Sequence, residues 1–205
     1  MKSLNSKINS FVFIGSVAVC LIINNCAPKA KGPITILDTP EHHVLSGMRL
    51  LEKGKLFDAE REFTYANELD HTYSPAYRGL GLVMGFKGDF NVAFSNMSKA
   101  EDMASSKEEQ VLVYVGYMRL YTQQKNGDWL KDVEKHFLKA RELLRDLHDI
   151  PDLYYYMGIA YKDAYRLSDA AEAFKRVLDI NKTYVDEADH QLTVVQTMRE
   201  RGRGQ

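Results

Sequence analysis

The residues best equipped for chemistry in this 205-residue chain are six histidines, two cysteines and scattered carboxylate pairs, and their spacing argues against a catalytic centre. The histidines stand at His42, His43, His71, His136, His148 and His190, and no two share the H-E-x-x-H spacing that sets two metal ligands and a base on one helix face. Glu41, His42 and His43 form the only histidine-bearing cluster, at the start of a predicted helix, where exposed polar side chains are common. Asp169 and Glu172 share a predicted helix face near Lys175 and Arg176, which reads as a solvated charge network. The sequence has no G-x-S-x-G elbow and no glycine-rich phosphate loop. We therefore expect no enzyme activity, no metal, no cofactor and no small-molecule substrate.

Charge removes another class of function. Lys and Arg total 27 against 28 Asp and Glu, for a net charge of -1, whereas a groove that neutralises several phosphates is usually strongly basic. Nucleic acid is not expected as a partner. Cys20 and Cys26 both lie near the start, so the rest of the chain forms no internal disulfide and no thiolate metal site. The 45% hydrophobic and 27% charged composition is ordinary for a globular protein and predicts one folded unit.

The cysteines belong to an address. Lys2 and Lys7 precede an uncharged, mainly apolar stretch from Phe11 to Ile23, the anatomy of a signal peptide over residues 1–25 and shorter than the roughly 20 residues of a membrane span. Ile23-Asn24-Asn25-Cys26-Ala27 then resembles the lipobox of bacterial lipoproteins, in which the cysteine is lipidated and becomes the mature N-terminus. Its two asparagines depart from the small residues which that family prefers there. An uncleaved signal anchor, or secretion with Cys26 incidental, are the alternatives. The resemblance implies lipid anchoring at Cys26 and, with Ala27 in place of aspartate after the cysteine, an outer-membrane position facing the periplasm. Residues 26–39, with two prolines and a glycine, read as a flexible tether.

The elements behind these residues repeat. Ala59-x3-Phe63-x2-Ala66 recurs as Ala93-x3-Met97-x2-Ala100, and His43-x2-Ser46-Gly47-x2-Leu50 as Tyr77-x2-Leu80-Gly81-x2-Met84, each shifted by 34 residues. Gly54 and Gly88 carry the same shift. The pattern returns in Tyr154-x2-Met157-Gly158-x2-Tyr161 and Ala170-x3-Phe174-x2-Val177, with Tyr165 where the earlier turns have glycine. Val133-x3-Phe137-x2-Ala140 and the helical stripe Tyr114, Tyr117, Met118 and Tyr121 supply a third copy with insertions. Proline interrupts none of these stripes, and Pro75 and Pro151 fall at predicted helix starts.

This register is similar to that of the tetratricopeptide repeat family, whose period is 34 residues. The resemblance covers about 160 residues. It implies an all-α fold, a right-handed superhelix or α-solenoid of about four helix pairs over 40–184, with repeats at about 40–73, 74–107, 111–147 and 151–184. Ala188, Leu192, Val195 and Met198 line one stripe of a further helix at 185–199, read as a cap over the last repeat's apolar face, and 200–205 read as a disordered tail. Gly47, Gly81 and Gly158 would admit the paired helix closely, with Phe63, Phe137 and Phe174 filling the remaining space.

In that family the first helix of each pair lines a concave groove for a protein segment. Carried over by register, the groove positions are Val44, Met48 and Leu51, then Arg78, Leu82 and Phe86, then Val115, Arg119 and Thr122, and finally Tyr155, Ile159 and Lys162. The set suits an amphipathic helix or an aliphatic stretch with acidic residues. Tyr155, Arg78 and Arg119 are the expected anchors, being of the types enriched in binding hot spots. The Lys/Asn clamp of chaperone-tail binders is missing at these positions. The expected role is that of an envelope adaptor or scaffold, similar to repeat lipoproteins that assist outer-membrane insertion, pilus secretin assembly (the pilotin type) or recruitment of peptidoglycan enzymes. A self-assembling structural protein and an accessory subunit of an enzyme or secretion complex are the alternatives.

Overall fold

The computed structural model describes residues 38–146 and 149–203. The predicted signal peptide, Cys26 and most of the tether lie outside the described residues. So do His148 and the last two residues of the predicted tail.

Among the described residues the chain is entirely helical, without strands. Its helices are α1 (Pro40–Glu52), α2 (Leu56–Leu69), α3 (Ser74–Phe86), α4 (Phe90–Met103), α5 (Lys107–Gln124), α6 (Trp129–Leu143), α7 (Pro151–Asp163), α8 (Leu167–Ile180) and α9 (Val185–Arg203), with a 3-10 turn at Leu144–Asp146. Each odd-numbered helix from α1 to α7 packs mainly on the helix that follows it. The first helices also contact one another in sequence, α1 with α3, α3 with α5 and α5 with α7, while α9 lies on α8. Among the described residues no helix is long and apolar enough to cross a membrane.

Local chemistry sets the starts. Thr39 caps α1 by accepting the His42 amide at 3.2 Å, and Pro40 follows at the first turn, where a missing amide hydrogen costs little. Asp38 and Thr39 thus belong to the helical body. The Asp89 side chain caps α4 in the same way, accepting from the Val92 amide at 3.2 Å. Ser106 accepts the Glu109 amide at 3.1 Å while the Glu109 carboxylate accepts the Ser105 amide at 2.8 Å. This reciprocal cap moves the start of the third repeat from the predicted 111 to Lys107 and gives α5 18 residues. At the other end α9 runs through Arg203, so residues 200–203 are helical where a disordered tail was predicted.

Glycine notches set the helix spacing. Phe63 is fully buried; a Cβ on Gly47 would stand 2.7 Å from its ring, and one on Gly79 would stand closer still. Met97 fills the equivalent place, so that a Cβ on Gly81 would lie 3.2 Å from its terminal methyl and one on Gly116 only 2.6 Å from it. Phe174 sits on Gly158, with a matching distance of 2.6 Å. Each of the first two knobs therefore rests on the first helices of two successive pairs. The third pair departs from this: by register α5 carries Met118, itself fully buried, where α1, α3 and α7 have glycine. With that notch filled, Phe137 is only half-buried and turns edge-on to Tyr154 at 5.8 Å, which corrects the expectation that it fills the core like Phe63 and Phe174.

The turn after α7 also departs. Gly54 and Gly88 have φ of +68° and +82°, and Tyr165 adopts +59° in the corresponding turn with its side chain exposed. Left-handed backbone costs a side-chain-bearing residue about 1–2 kcal/mol. The Arg166 guanidinium, 4.4 Å from the Tyr161 ring and ion-paired to Glu134 at 2.5 Å and Asp169 at 2.6 Å, holds the chain on the far side of this turn.

Candidate partner-binding face

Placing the predicted groove residues on the row of first helices separates all but Met48 and Phe86 into three groups. Val44, Leu82 and Val115 are core, with 6%, 0% and 3% of their surface exposed. Leu51 and Thr122 are buried too, the Thr122 hydroxyl donating to the Met118 carbonyl at 2.7 Å. This corrects the assignment of Val44, Leu82 and Val115 to partner binding: each first helix is flanked by its own partner and by its neighbours in the row, so these positions turn inward.

A second group meets α9. The Lys162 ammonium donates to Gln191 Oε1 at 2.6 Å, and Ile159 packs against the cluster that α8 and α9 build from Phe174, Val177, Ala188, Leu192 and Val195. Those contacts are the next helix of the stack, arriving where the register left an open position. Met48 is half-buried against the main core, and Phe86 is 48% exposed at the end of α3.

The third group comes together. Arg78 on α3, Arg119 on α5 and Tyr155 on α7 are half-buried, and they gather around residues that sequence reasoning missed, namely Asp152, Tyr156 and Tyr184. The Arg119 guanidinium carbon stands 4.5 Å from the centroid of the Tyr156 ring. Tyr155 stacks on Tyr184 with centroids 4.6 Å apart and planes 14° from parallel, and Tyr156 meets Tyr184 edge-on at 6.0 Å. The Tyr184 hydroxyl points to Asp152 Oδ1 at 3.3 Å. Tyr184 reaches this place from the turn before α9, where its φ is +61°. Burial, and then the charge of Arg119, push the Arg78 pKa below the ordinary guanidinium value. Burial likewise raises the Tyr184 pKa, with Tyr156 and Asp152 adding to it.

Away from this face, His43 and His136 have structural partners. His43 is held between Glu62, 2.8 Å from Nδ1, and Asp38, 3.4 Å from Nε2, and it packs edge-on to Tyr65 at 4.6 Å. The two carboxylates engage opposite ring nitrogens, so they do not converge on one point. Among the described residues no group of three His, Cys, Asp or Glu is arranged to hold a metal ion. Surface depressions of 540 and 630 Å³ lie elsewhere, the first beside His43, Phe57 and Tyr65, the second between Phe137, Tyr154 and Arg176.

His136 yields a pH prediction. It is 7% exposed and sits among Tyr114, Tyr117 and Tyr121, with centroids 5.9, 4.7 and 5.5 Å away. Nδ1 lies 2.7 Å from the Asp132 carbonyl, which can only accept, so Nδ1 carries the hydrogen. Burial holds the His136 pKa below its ordinary 6.5. As pH falls through about 6.5 the unfolded chain takes up a proton that the folded chain refuses, so stability declines with falling pH. The urea midpoint is expected to drop between pH 7.5 and 5.5, and His136→Gln to flatten that drop; an equal slope in the variant refutes this role.

Helix pairs in a row, bulky knobs in glycine notches and a terminal helix on the last pair define an all-α solenoid of the tetratricopeptide type. A comparison with a solved structure agrees. The chain is similar to the structure reported under a functional characterisation of Pseudomonas aeruginosa pilF, at 16% identity and a TM-score of 0.56, covering 79% of this chain and 69% of that one. A structure of the APC/C heterotetramer Cut9–Hcn1 also aligns, at 15% identity and a TM-score of 0.36, covering 79% of this chain and 37% of that one, and adds nothing to the fold argument. No family model matches the sequence, and no curated protein matches it.

Proposed function

We propose that the chain is a lipid-anchored adaptor of the bacterial cell envelope, held at the outer membrane through Cys26 and facing the periplasm, that binds a segment of a protein partner along its row of first helices. The observation that carries the binding half is the convergence of Arg78, Arg119 and Tyr155 from three successive helix pairs onto one half-buried patch. A patch assembled across repeats recognises an extended or helical segment and not a compact metabolite, and tyrosine and arginine supply large contact area with directed polar groups. The anchoring half rests on the apolar stretch from Phe11 to Ile23 and the lipobox-like residues that follow. Tethering raises the local concentration of a partner at the membrane, so a modest affinity near micromolar, about -8 kcal/mol, suffices. In this reading the chain performs no catalysis.

The test is in-cell crosslinking from a photo-reactive residue at position 155. A discrete heterologous envelope protein, captured at 155 and not from a residue on the opposite side such as Leu138, is the expected result. Capture of copies of this chain alone would replace the adaptor with a self-assembling structural protein.

A further inference from the structure

We propose that Arg78 and Arg119 form a two-guanidinium site for a single carboxylate group of the partner segment, walled by Tyr155, Tyr156 and Tyr184. The inference rests on the groove reading above and specifies the chemistry that reading leaves open.

The two arginines belong to different helix pairs, on α3 and α5, yet the charge of Arg119 acts on Arg78, whose stem passes beside Gly116 of α5. Among the described residues neither makes a salt bridge, although Arg61, Arg166 and Arg176 each have a carboxylate within 4 Å. Guanidinium does not deprotonate in proteins, so two half-buried like charges persist side by side and destabilise the empty face until an anion meets them. Asp152, whose charge acts on Arg78, accepts from the Tyr184 hydroxyl through its Oδ1 and forms no ion pair with either arginine. Glu187, on α9, is felt at Tyr155, and Glu41 and Glu109 are felt with Arg78 at Tyr73. Among the described residues both guanidinium groups therefore lack a carboxylate within ion-pair range, which is the place a carboxylate of the partner segment would take.

Geometry favours the same ligand. Arg119 lies over Tyr156, a contact with the flat of the ring that leaves the guanidinium edge free for a two-pronged bond to a carboxylate. The Arg78 stem passes beside Gly116 of α5, whose added Cβ would lie 3.6 Å from Arg78 Cγ. The stacked Tyr155 and Tyr184 rings form a fixed wall beside them, which keeps water away from one side of the pair and strengthens a charge-assisted bond made there.

Fluorescence anisotropy with the full chain tests this. The probe is a dye-labelled nonapeptide of leucine, alanine and three glutamates, compared with the same peptide carrying glutamines. The glutamate peptide is expected to bind at least tenfold more tightly. Arg78→Gln with Arg119→Gln should remove that preference with the helical circular dichroism unchanged, and Arg78→Lys with Arg119→Lys should restore part of it. The two peptides are compared first on the unaltered chain, so the result does not depend on any variant folding. Equal binding of both peptides, an unchanged preference in the double glutamine variant, or displacement of the peptide by inorganic phosphate at a tenth of the peptide concentration would each overturn the proposal. If position 155 still captures a protein partner in cells while the two peptides bind alike, the groove reading stands and the carboxylate site falls.

Discussion

Phe63→Ala is expected to remove about 3–5 kcal/mol of folding stability, the range for deleting a buried aromatic ring where the surroundings cannot collapse. Collapse is blocked here on two sides. The ring fills a space bounded by Gly47 and Gly79, which have no side chains to swing into the void, and the flanking Ala59 and Ala66 are equally short and fully buried. Against the roughly 5–15 kcal/mol that stabilises an ordinary domain, this is a large fraction of the total, and the effect should show as a lower urea midpoint with the slope retained. Phe137→Ala is the internal control: that ring is half-buried and seated in no glycine notch, so its removal should cost less than half as much. Equal costs would mean that the notches do not set the packing.

Cys26→Ala is expected to move the protein from the membrane fraction to the soluble fraction. If Cys26 carries acyl chains, each buried methylene contributes about 0.8 kcal/mol, and more than one chain turns marginal attachment into a stable anchor. Removing the attachment point removes the whole acyl contribution at once. Fractionation of cells followed by immunoblotting reads the result directly. A membrane fraction unchanged by the substitution would sink the lipoprotein reading and leave the solenoid untouched.

How far the sequence could be read divides along physical lines. Short-range regularities survive translation into structure. The 34-residue register places Ala59, Phe63 and Ala66 over Ala93, Met97 and Ala100, and all six are fully buried, because identical spacing on equal helices produces identical faces. Prolines 40, 75 and 151 mark three helix starts for an equally local reason. What the register could not supply is the identity of neighbours in the next repeat. Leu82 and Val115 look like groove positions when one helix is considered alone and become core once its neighbours close on them. Gly79 and Gly116 carry the second half of each notch, but they lie off the aligned pattern. Tyr184 was hidden for the opposite reason, since it sits in a turn before α9 and reaches Asp152 and Tyr155 only through tertiary packing. The run Tyr154-Tyr155-Tyr156 was the available signal: three adjacent aromatics on a helix cannot all face one core, so at least one has to serve a second surface.

A knob seated in two consecutive first helices has a bearing on what a ligand experiences. To widen or narrow the space between α1 and α3, Phe63 would have to leave either Gly47 or Gly79, and Met97 imposes the same condition on α3 and α5 through Gly81 and Gly116. The spacing of Arg78 and Arg119 is thus set before any encounter, and the receiving surface loses little conformational entropy when it is filled. The cost of ordering then falls on the incoming segment, so a stiff or already helical segment should bind more tightly than a floppy one of the same composition.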